Sequence, residues 1–526
     1  MTGSAEKLPG PEGAGRSGPV VLIGAGPGDE GLITMRGLEA LGQADVVVYD
    51  MLANRDLLRH TRPGAECIAV GQREGGGRDQ QRINEMLLEH ARRGCRVVRL
   101  KGGDPYLFGR GAEEMAYLGL HGIECEVIAG VTAGIAAPMA AGISLTRRDL
   151  ASTVTFLTGH ENAEKCAPSV DYPALAAMIR SGGTACLYMG MGRLDAIAKR
   201  LVECGLDAGT PAAAIQWGHT PRQRSVRAAL GTIAARVVQK GLGPPSIVVI
   251  GAVCGVDEPS MMFYVRRALF GRCVLVTRTR SQASLLVRIL ADLGAEVIEA
   301  PTIEIAPPPD LAPVDKAIAE IDRFDWILLT SPNAVEGLAR RLDHLERDSR
   351  HLASVRIGAL GDATAEALRG RLGLRADLVP EQFVAEALAD AIIARREASG
   401  RKFLWLRADI ARATLRDRLV EAGGYVLDHS VYVTRPAGSL PQRALAAVRE
   451  RRLDWITFTS SSTAKYLVEL LGAEAELIQN VKTASIGPIT SRTMRGLGME
   501  PTVEASPSSM EGLVEAMMRC EGESRG

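Results

Sequence analysis

Val20-Val21-Leu22-Ile23-Gly24-Ala25-Gly26-Pro27-Gly28-Asp29 decides how the first half of this chain is read. Four branched apolar residues without a charge mark a strand buried on both faces, as in a sheet covered by helices. The glycines after it allow the backbone to approach a ligand closely, because no Cβ stands in the way. A dinucleotide loop has a similar form, with Asp50, 26 residues beyond Gly24, placed to hold a ribose. The fit is incomplete, since Asp29 stands where the third fingerprint glycine belongs and Pro27 interrupts the turn.

Further signatures follow at other strand ends. Lys101-Gly102-Gly103-Asp104-Pro105 comes after Val97-Val98-Arg99-Leu100 and leads into Phe108-Gly109-Arg110-Gly111 and the acidic pair Glu113-Glu114. Gly130-Val131-Thr132-Ala133 and Tyr188-Met189-Gly190 complete the set. A dehydrogenase has no use for a second glycine loop, whereas several such loops can form one crevice at the carboxyl ends of a sheet.

The same grammar continues along the chain. Apolar runs recur at Val46–Tyr49, Val154–Leu157, Ile247–Ile250, Val274–Val276, Trp326–Leu329, Phe403–Leu406 and Trp455–Phe458, with Ala/Leu/Arg helical patterns between them. Alternation of this kind predicts α/β architecture. The second half echoes itself: Asp325-Trp326-Ile327-Leu328-Leu329-Thr330-Ser331 resembles Asp454-Trp455-Ile456-Thr457-Phe458-Thr459-Ser460, which predicts two similar lobes. Pro301 to Pro313 reads as a crossing between them, and 257–271 as a linker between the halves.

Composition sets limits. The chain has 526 residues, about three or four domains' worth, with 46% apolar, 4% aromatic and 24% charged residues. Sixty-two basic residues balance 62 acidic ones with no long basic block, against a nucleic-acid or membrane-surface protein. Only nine of the basic residues are lysines; a GC-rich genome is the plain reading of the arginine excess, though a few placed guanidiniums suffice to grip an anion. Nine scattered cysteines without metal spacing fit a reducing, cytoplasmic setting and predict no metal site. Residues 1–18 lack the apolar core of a signal peptide and read as a disordered tail. The uncharged stretch Val127 to Thr146 is too rich in Gly and Ala for a membrane span.

Taken together, GAGPGD (Gly24–Asp29), VVYD (Val47–Asp50), RLKGGDPYLFGRG (Arg99–Gly111), GVTA (Gly130–Ala133), YMG (Tyr188–Gly190) and WGHTPRQR (Trp217–Arg224) resemble, in order, the uroporphyrinogen-III C-methyltransferases of the tetrapyrrole methylase family. The resemblance covers residues 19–256 and implies lobes at about 19–135 and 136–256, a homodimer, and S-adenosylmethionine as cofactor. It implies cofactor contacts at Pro27, Gly102, Gly103, Asp104, Leu107, Thr132, Ala133, Met189 and Gly218, and a proton acceptor at Asp50. The substrate carries eight carboxylates, so Arg110 and Arg148, with Arg36, Arg55, Arg147, Arg222 and Arg224, are candidate clamps. One position departs from the family: Gly71-Gln72-Arg73 has Gln where the family has a lysine assigned as proton donor.

Residues 272–520 resemble uroporphyrinogen-III synthase through Thr277-Arg278, Thr330–Val335, Val431–Thr434, Phe458–Ser462 and Ile486–Thr490. That resemblance implies a two-lobed α/β fold, one lobe from 272–304 plus 435–520 and the other inserted at 305–434. It implies ring closure of hydroxymethylbilane with loss of water, Tyr432 aiding departure of the hydroxyl, and Ser331, Ser460, Ser461 and Thr490 facing the cleft as substrate-binding residues. Each Ser or Thr is equally well placed to cap a helix. The expected function is a bifunctional enzyme that makes uroporphyrinogen III and methylates it twice to precorrin-2, on the sirohaem/cobalamin branch. The alternatives are a methyltransferase with a silent tetrapyrrole-binding module, and a nicotinamide-dependent oxidoreductase.

Overall fold

The computed structural model describes residues 17–71, 79–159, 170–278, 280–382, 385–409, 411 and 413–523. Gln72, and the predicted tail up to residue 16, lie outside the described residues. The chain divides into two compact units, Met1–Arg272 with Leu290–Glu296, and Cys273–Ile289 with Val297–Gly526.

The first unit holds two five-stranded sheets. One contains β1 (Val20–Gly24), β2 (Val46–Asp50), β3 (Glu66–Val70), β4 (Val97–Lys101) and β5 (Cys125–Ile128), all parallel, in the order β3-β2-β4-β1-β5. This order corrects the oxidoreductase reading: β4 lies between β1 and β2, whereas a dinucleotide-binding sheet seats its first strand beside its second. β1 and β4 are buried along their whole length, as strands covered by helices on both faces must be. The other sheet is mixed: β6 (Thr153–Thr158), β7 (Gly183–Tyr188), β8 (Pro211–Gln216), β9 (Arg224–Ala229) and β10 (Ser246–Ile250), in the order β6-β7-β10-β8-β9. Only its β6–β7 pair is parallel.

The second unit repeats the scheme. β11 (Cys273–Val276), β12 (Glu296–Glu299), β18 (Trp455–Phe458), β19 (Lys482–Ser485) and β20 (Val503–Glu504) form one sheet. Between β12 and β18 the chain builds the other, from β13 (Ile303–Ala306), β14 (Trp326–Leu329), β15 (Arg356–Ala359), β16 (Lys402–Ala408) and β17 (Tyr425–Pro436). The antiparallel pair β13–β17 carries the chain into and out of this inserted sheet.

The echo noticed in the sequence has a structural cause. Asp325 Oδ2 accepts the Lys402 N–H at 2.8 Å, and Asp454 Oδ2 accepts the Cys273 N–H at 2.7 Å. Each carboxylate precedes a strand and pins it to the start of its neighbour, a bond that fixes strand register. Asp45 does the same in the first unit, taking the Arg96 N–H at 2.6 Å. Among the described residues no helix is long and apolar enough to cross a membrane.

Candidate functional site

In the first unit the glycine loops interlock. Gly26 and Gly103 exchange backbone hydrogen bonds of 3.2 and 2.8 Å, lacing the loop after β1 to the loop after β4. A Cβ on Gly24 would lie 2.5 Å from the Gly130 α-carbon and 2.6 Å from the Gly103 carbonyl oxygen, so three strand-end loops meet where only glycine fits. Asp104 completes the lacing: Oδ1 accepts from Tyr106 N at 2.8 Å and Oδ2 from Gly130 N at 3.0 Å.

These loops form one wall of a cavity of about 670 Å³. Pro27, Gly102, Gly103, Asp104, Leu107, Thr132 and Ala133 line it from the first sheet's loops and the helix Ala133–Ala140, Met189 and Gly218 from the second sheet's loops. Asp50 and Arg110 line it too. Gly102 and Gly103 carry no Cβ clash below 3.4 Å, so they keep open space that side chains would fill. Four lining residues other than glycine hold positive φ: Phe108, Arg110, Met189 and Trp217, at 50–57°. Such backbone costs of order 1–3 kcal/mol per residue and persists only where packing imposes it, as at binding sites.

Tyr188 joins the two sides. Its Oη lies 2.5 Å from Thr132 Oγ1 and accepts the Gly134 N–H at 2.7 Å, while its ring packs 4.9 Å from that of Phe108. The Ala133–Ala140 helix has no cap from its own Thr132 side chain; a tyrosine from β7 supplies it. The opposite rim rests on the linker. His219, after Gly218, packs at a tilt against the buried Tyr264 with ring centres 4.6 Å apart, and the Arg267 guanidinium lies over the Tyr264 ring at 4.5 Å. His219 Nδ1 stands 3.6 Å from Asp29 Oδ2. That ring does most to hold the Asp29 carboxyl below the usual range, against the opposing effect of burial.

A group of buried charges forms part of the cavity's floor, with Arg99 and Lys101 among the lining residues. Arg99 pairs with Asp50 and, through Nε, with Glu114 Oε1 at 3.3 Å; Lys101 Nζ reaches the same oxygen at 2.9 Å. Arg99, Lys101 and Glu114 are at most 3% exposed. Burial lowers the pKa of the Lys101 ammonium, with the Arg99 charge acting in the same direction. Arg99 was legible only as a charge inside an apolar strand; nothing in the sequence paired it with Glu114.

The remaining clamp candidates stand elsewhere. Arg148 is exposed on the turn after Thr146 and does not line the cavity. Arg36 is paired with Glu126, Arg147 with Glu258 at 2.7 Å, and Arg224 donates to the Gly241 carbonyl at 3.1 Å. Arg55 lies over the Tyr49 ring, and Arg222 likewise lies outside the lining. Arg110, the one of these seven in the cavity wall, grips Glu113 through Nε and Nη2 at 2.7–3.2 Å.

In the second unit Ser331 Oγ and Tyr432 Oη are 2.9 Å apart, at the ends of β14 and within β17. Ser331 also caps the helix Pro332–His344, accepting from Ala334 N at 3.2 Å. Ser460 caps Ser461–Leu471 in the same way, from Thr463 N at 3.3 Å. Ser461 accepts from Thr493 Oγ1 at 2.8 Å, and Thr490 is buried. Ser331 and Tyr432 therefore meet on the inserted lobe, while Ser460, Ser461 and Thr490 gather on the other. Burial raises the Tyr432 pKa, keeping the phenol protonated.

Residues 19–234 match the family of tetrapyrrole (corrin/porphyrin) methylases, and residues 284–515 match uroporphyrinogen-III synthase HemD. A "porphyrin biosynthesis protein HemD" of Ruminiclostridium josui is 34% identical over 505 residues, 96% of this chain and 98% of that protein. A uroporphyrinogen-III C-methyltransferase of Synechocystis is 46% identical over 240 residues, 45% of this chain and 90% of the relative. The solved structure of a uroporphyrin-III C-methyltransferase from Thermus thermophilus, complexed with S-adenosyl homocysteine, is 37% identical with a TM-score of 0.40, covering 46% of this chain and all of that one. The chain belongs to the tetrapyrrole methylase family in its fused form, with a uroporphyrinogen-III synthase domain in the same polypeptide. It is an enzyme.

Proposed function

We propose that the chain closes hydroxymethylbilane to uroporphyrinogen III in its second unit and methylates that product twice in its first, yielding precorrin-2 for sirohaem or cobalamin. One observation carries the methyltransferase reading: residues from both sheets, all at family cofactor positions, line a single cavity beside Asp50. The cavity fits the donor chemically, with glycine loops that admit a nucleoside against backbone and a thioether at Met189. S-adenosylmethionine supplies a methyl group on a sulfonium, open to in-line attack.

The chain's own residues act by holding and by taking a proton. Gly102, Gly103, Thr132 and Ala133 orient the donor, so alignment and exclusion of water supply most of the rate. The Asp50 carboxylate takes the proton that the methylated macrocycle loses after a pyrrole carbon has attacked the donor's methyl with its π pair, leaving the electrons of the broken carbon–sulfur bond on the thioether product. Arg110 on the cavity wall grips a substrate carboxylate, exchanging Glu113 for it. In the second unit Tyr432, protonated and held by Ser331, donates to the departing hydroxyl. The protein acts as a homodimer through its methyltransferase half.

The test is to give the purified chain hydroxymethylbilane with and without S-adenosylmethionine and to identify the tetrapyrroles formed. Uroporphyrinogen III alone, then precorrin-2 on adding donor, is the expected result. Uroporphyrinogen I as the sole product overturns the synthase reading, and unmethylated uroporphyrinogen III despite donor overturns the methyltransferase reading.

A further inference from the structure

The cluster behind Asp50 carries more than packing. β4 is an interior strand, and its alternate residues Arg99 and Lys101 point to one face. Both are cations, and both reach Glu114, which is completely buried in the helix Gly111–Leu120. Glu114 Oε1 also receives Gln80 Nε2 at 2.9 Å, so three donors crowd one oxygen. Oε2 of the same carboxylate is buried and has no hydrogen-bond partner among the described residues. Taking such charges out of water costs several kcal/mol per ion, and apolar residues of like volume serve stability as well or better. A group kept at that cost invites a role in the chemistry next to it.

Asp50 supplies the link. It ends β2 alongside β4, lines the cavity, and is held by Arg99, whose Nε is fixed by Glu114. Resting on the reading of Asp50 as proton acceptor, we propose that Glu114 and Lys101 are positioning residues for methyl transfer: acting through Arg99, they balance the charge around Asp50 and set its basicity. The count is two cations, Arg99 and Lys101, against two carboxylates, Asp50 and Glu114. Removing Glu114 leaves Asp50 facing both cations and makes it a weaker base. Removing Lys101 leaves an excess carboxylate and makes it a stronger one. The other groups facing the cluster among the described residues are Arg110 and Glu113, which interact with Glu114 and Lys101 and offset each other as an ion pair, Asp104 in the cavity wall, and Cys125 on β5, whose thiol, pushed up to about 11 by burial and then by Glu114, stays neutral.

The experiment uses the full chain with uroporphyrinogen III and S-adenosylmethionine, both saturating, and follows kcat against pH. The acidic limb reports the base in the ternary complex. Glu114→Gln is expected to move that limb down by about one pH unit and Lys101→Met to move it up by about as much. The double variant, neutral again, returns it to within about 0.3 unit and recovers kcat above either single variant. Lys101→Arg, which keeps the charge, leaves the limb in place. KM for the donor stays within about twofold throughout, which also certifies that each variant folds. Should Glu114→Gln fail to fold, the Lys101→Met and Lys101→Arg pair decides alone. An unmoved limb in Lys101→Met, or a double variant worse than both singles, overturns the proposal. Wild-type kcat in Asp50→Asn instead overturns the base reading beneath it, so the two failures are told apart.

Discussion

Replacing Tyr188 by Phe removes one oxygen and leaves two buried partners behind. Thr132 Oγ1 and the Gly134 N–H both meet Tyr188 Oη, and both residues are buried at the start of the Ala133–Ala140 helix. Loss of a helix cap costs about 1 kcal/mol, and a buried hydroxyl left without its partner costs about 1–2 more. The expected destabilisation is therefore roughly 2–3 kcal/mol, or roughly 5–10 °C for a unit of this size. Thr132 and Ala133 line the cavity, so the loosened helix start must be re-ordered whenever the donor binds. If about 1.4 kcal/mol of the loss is recovered at the ligand's expense, the Kd for S-adenosylhomocysteine rises roughly tenfold. Calorimetric melting, following the transition that the ligand protects, and titration calorimetry read the two quantities. A Phe variant that melts within about 1 °C of the parent and binds within about twofold would falsify the idea that Tyr188 caps the helix.

Four other outcomes follow from the same interactions. Asp50→Asn should lower methyltransferase kcat by about 10²–10⁴ while donor affinity holds within about threefold, measured by product formation and calorimetry. Ser331→Ala and Ser460→Ala should each cost about 1 kcal/mol in denaturant melts as lost caps, but only the former should also slow ring closure, because only Ser331 touches Tyr432. Tyr432→Phe should reduce the fraction of uroporphyrinogen III against the spontaneous I isomer; because burial lifts the phenol above its ordinary pKa of 10, it should not alter the pH profile between about 7 and 9. The depressed Asp29 pKa makes that carboxylate a stabilising charge above its unfolded value of 3.8, an effect lost as pH falls through the lower folded value. Acid unfolding of His219→Ala, compared with the parent, should therefore show a smaller loss of stability below about pH 4, and identical acid transitions would remove the argument.

Legibility in the sequence followed contiguity. Val20–Ile23, Val46–Tyr49 and Trp326–Leu329 announced themselves because buried parallel strands are written as unbroken apolar runs. β8, Pro-Ala-Ala-Ala-Ile-Gln, did not, since alanine favours helix and only the neighbouring strands make it extended. Nor could the antiparallel half of the second sheet be read, because a strand buried on both faces has the same composition whichever way it runs. The glycine loops were legible as motifs, each being local. The Arg99–Glu114 pair and the Tyr188 cap were not, because they join residues 15 and 54–56 positions apart that only the register of β4 and the docking of β7 bring together. The serines gave both of their readings at once: Ser331 caps a helix and touches Tyr432, so the structural and functional interpretations were never exclusive.

A segment that joins two enzymes need be no more than a spacer. Here residues as far as Arg272 belong to the compact first unit, with Tyr264 buried beneath the loop that carries Gly218. A cut just after Val256 would strip a packed aromatic from the rim of the cavity, and a cut after Arg272 would still take away Leu290–Glu296, which pack with the first unit. The segment from Asp257 to Arg272 therefore works as part of the first unit's fold, and separating the two halves of the chain without loss requires it to stay with that unit.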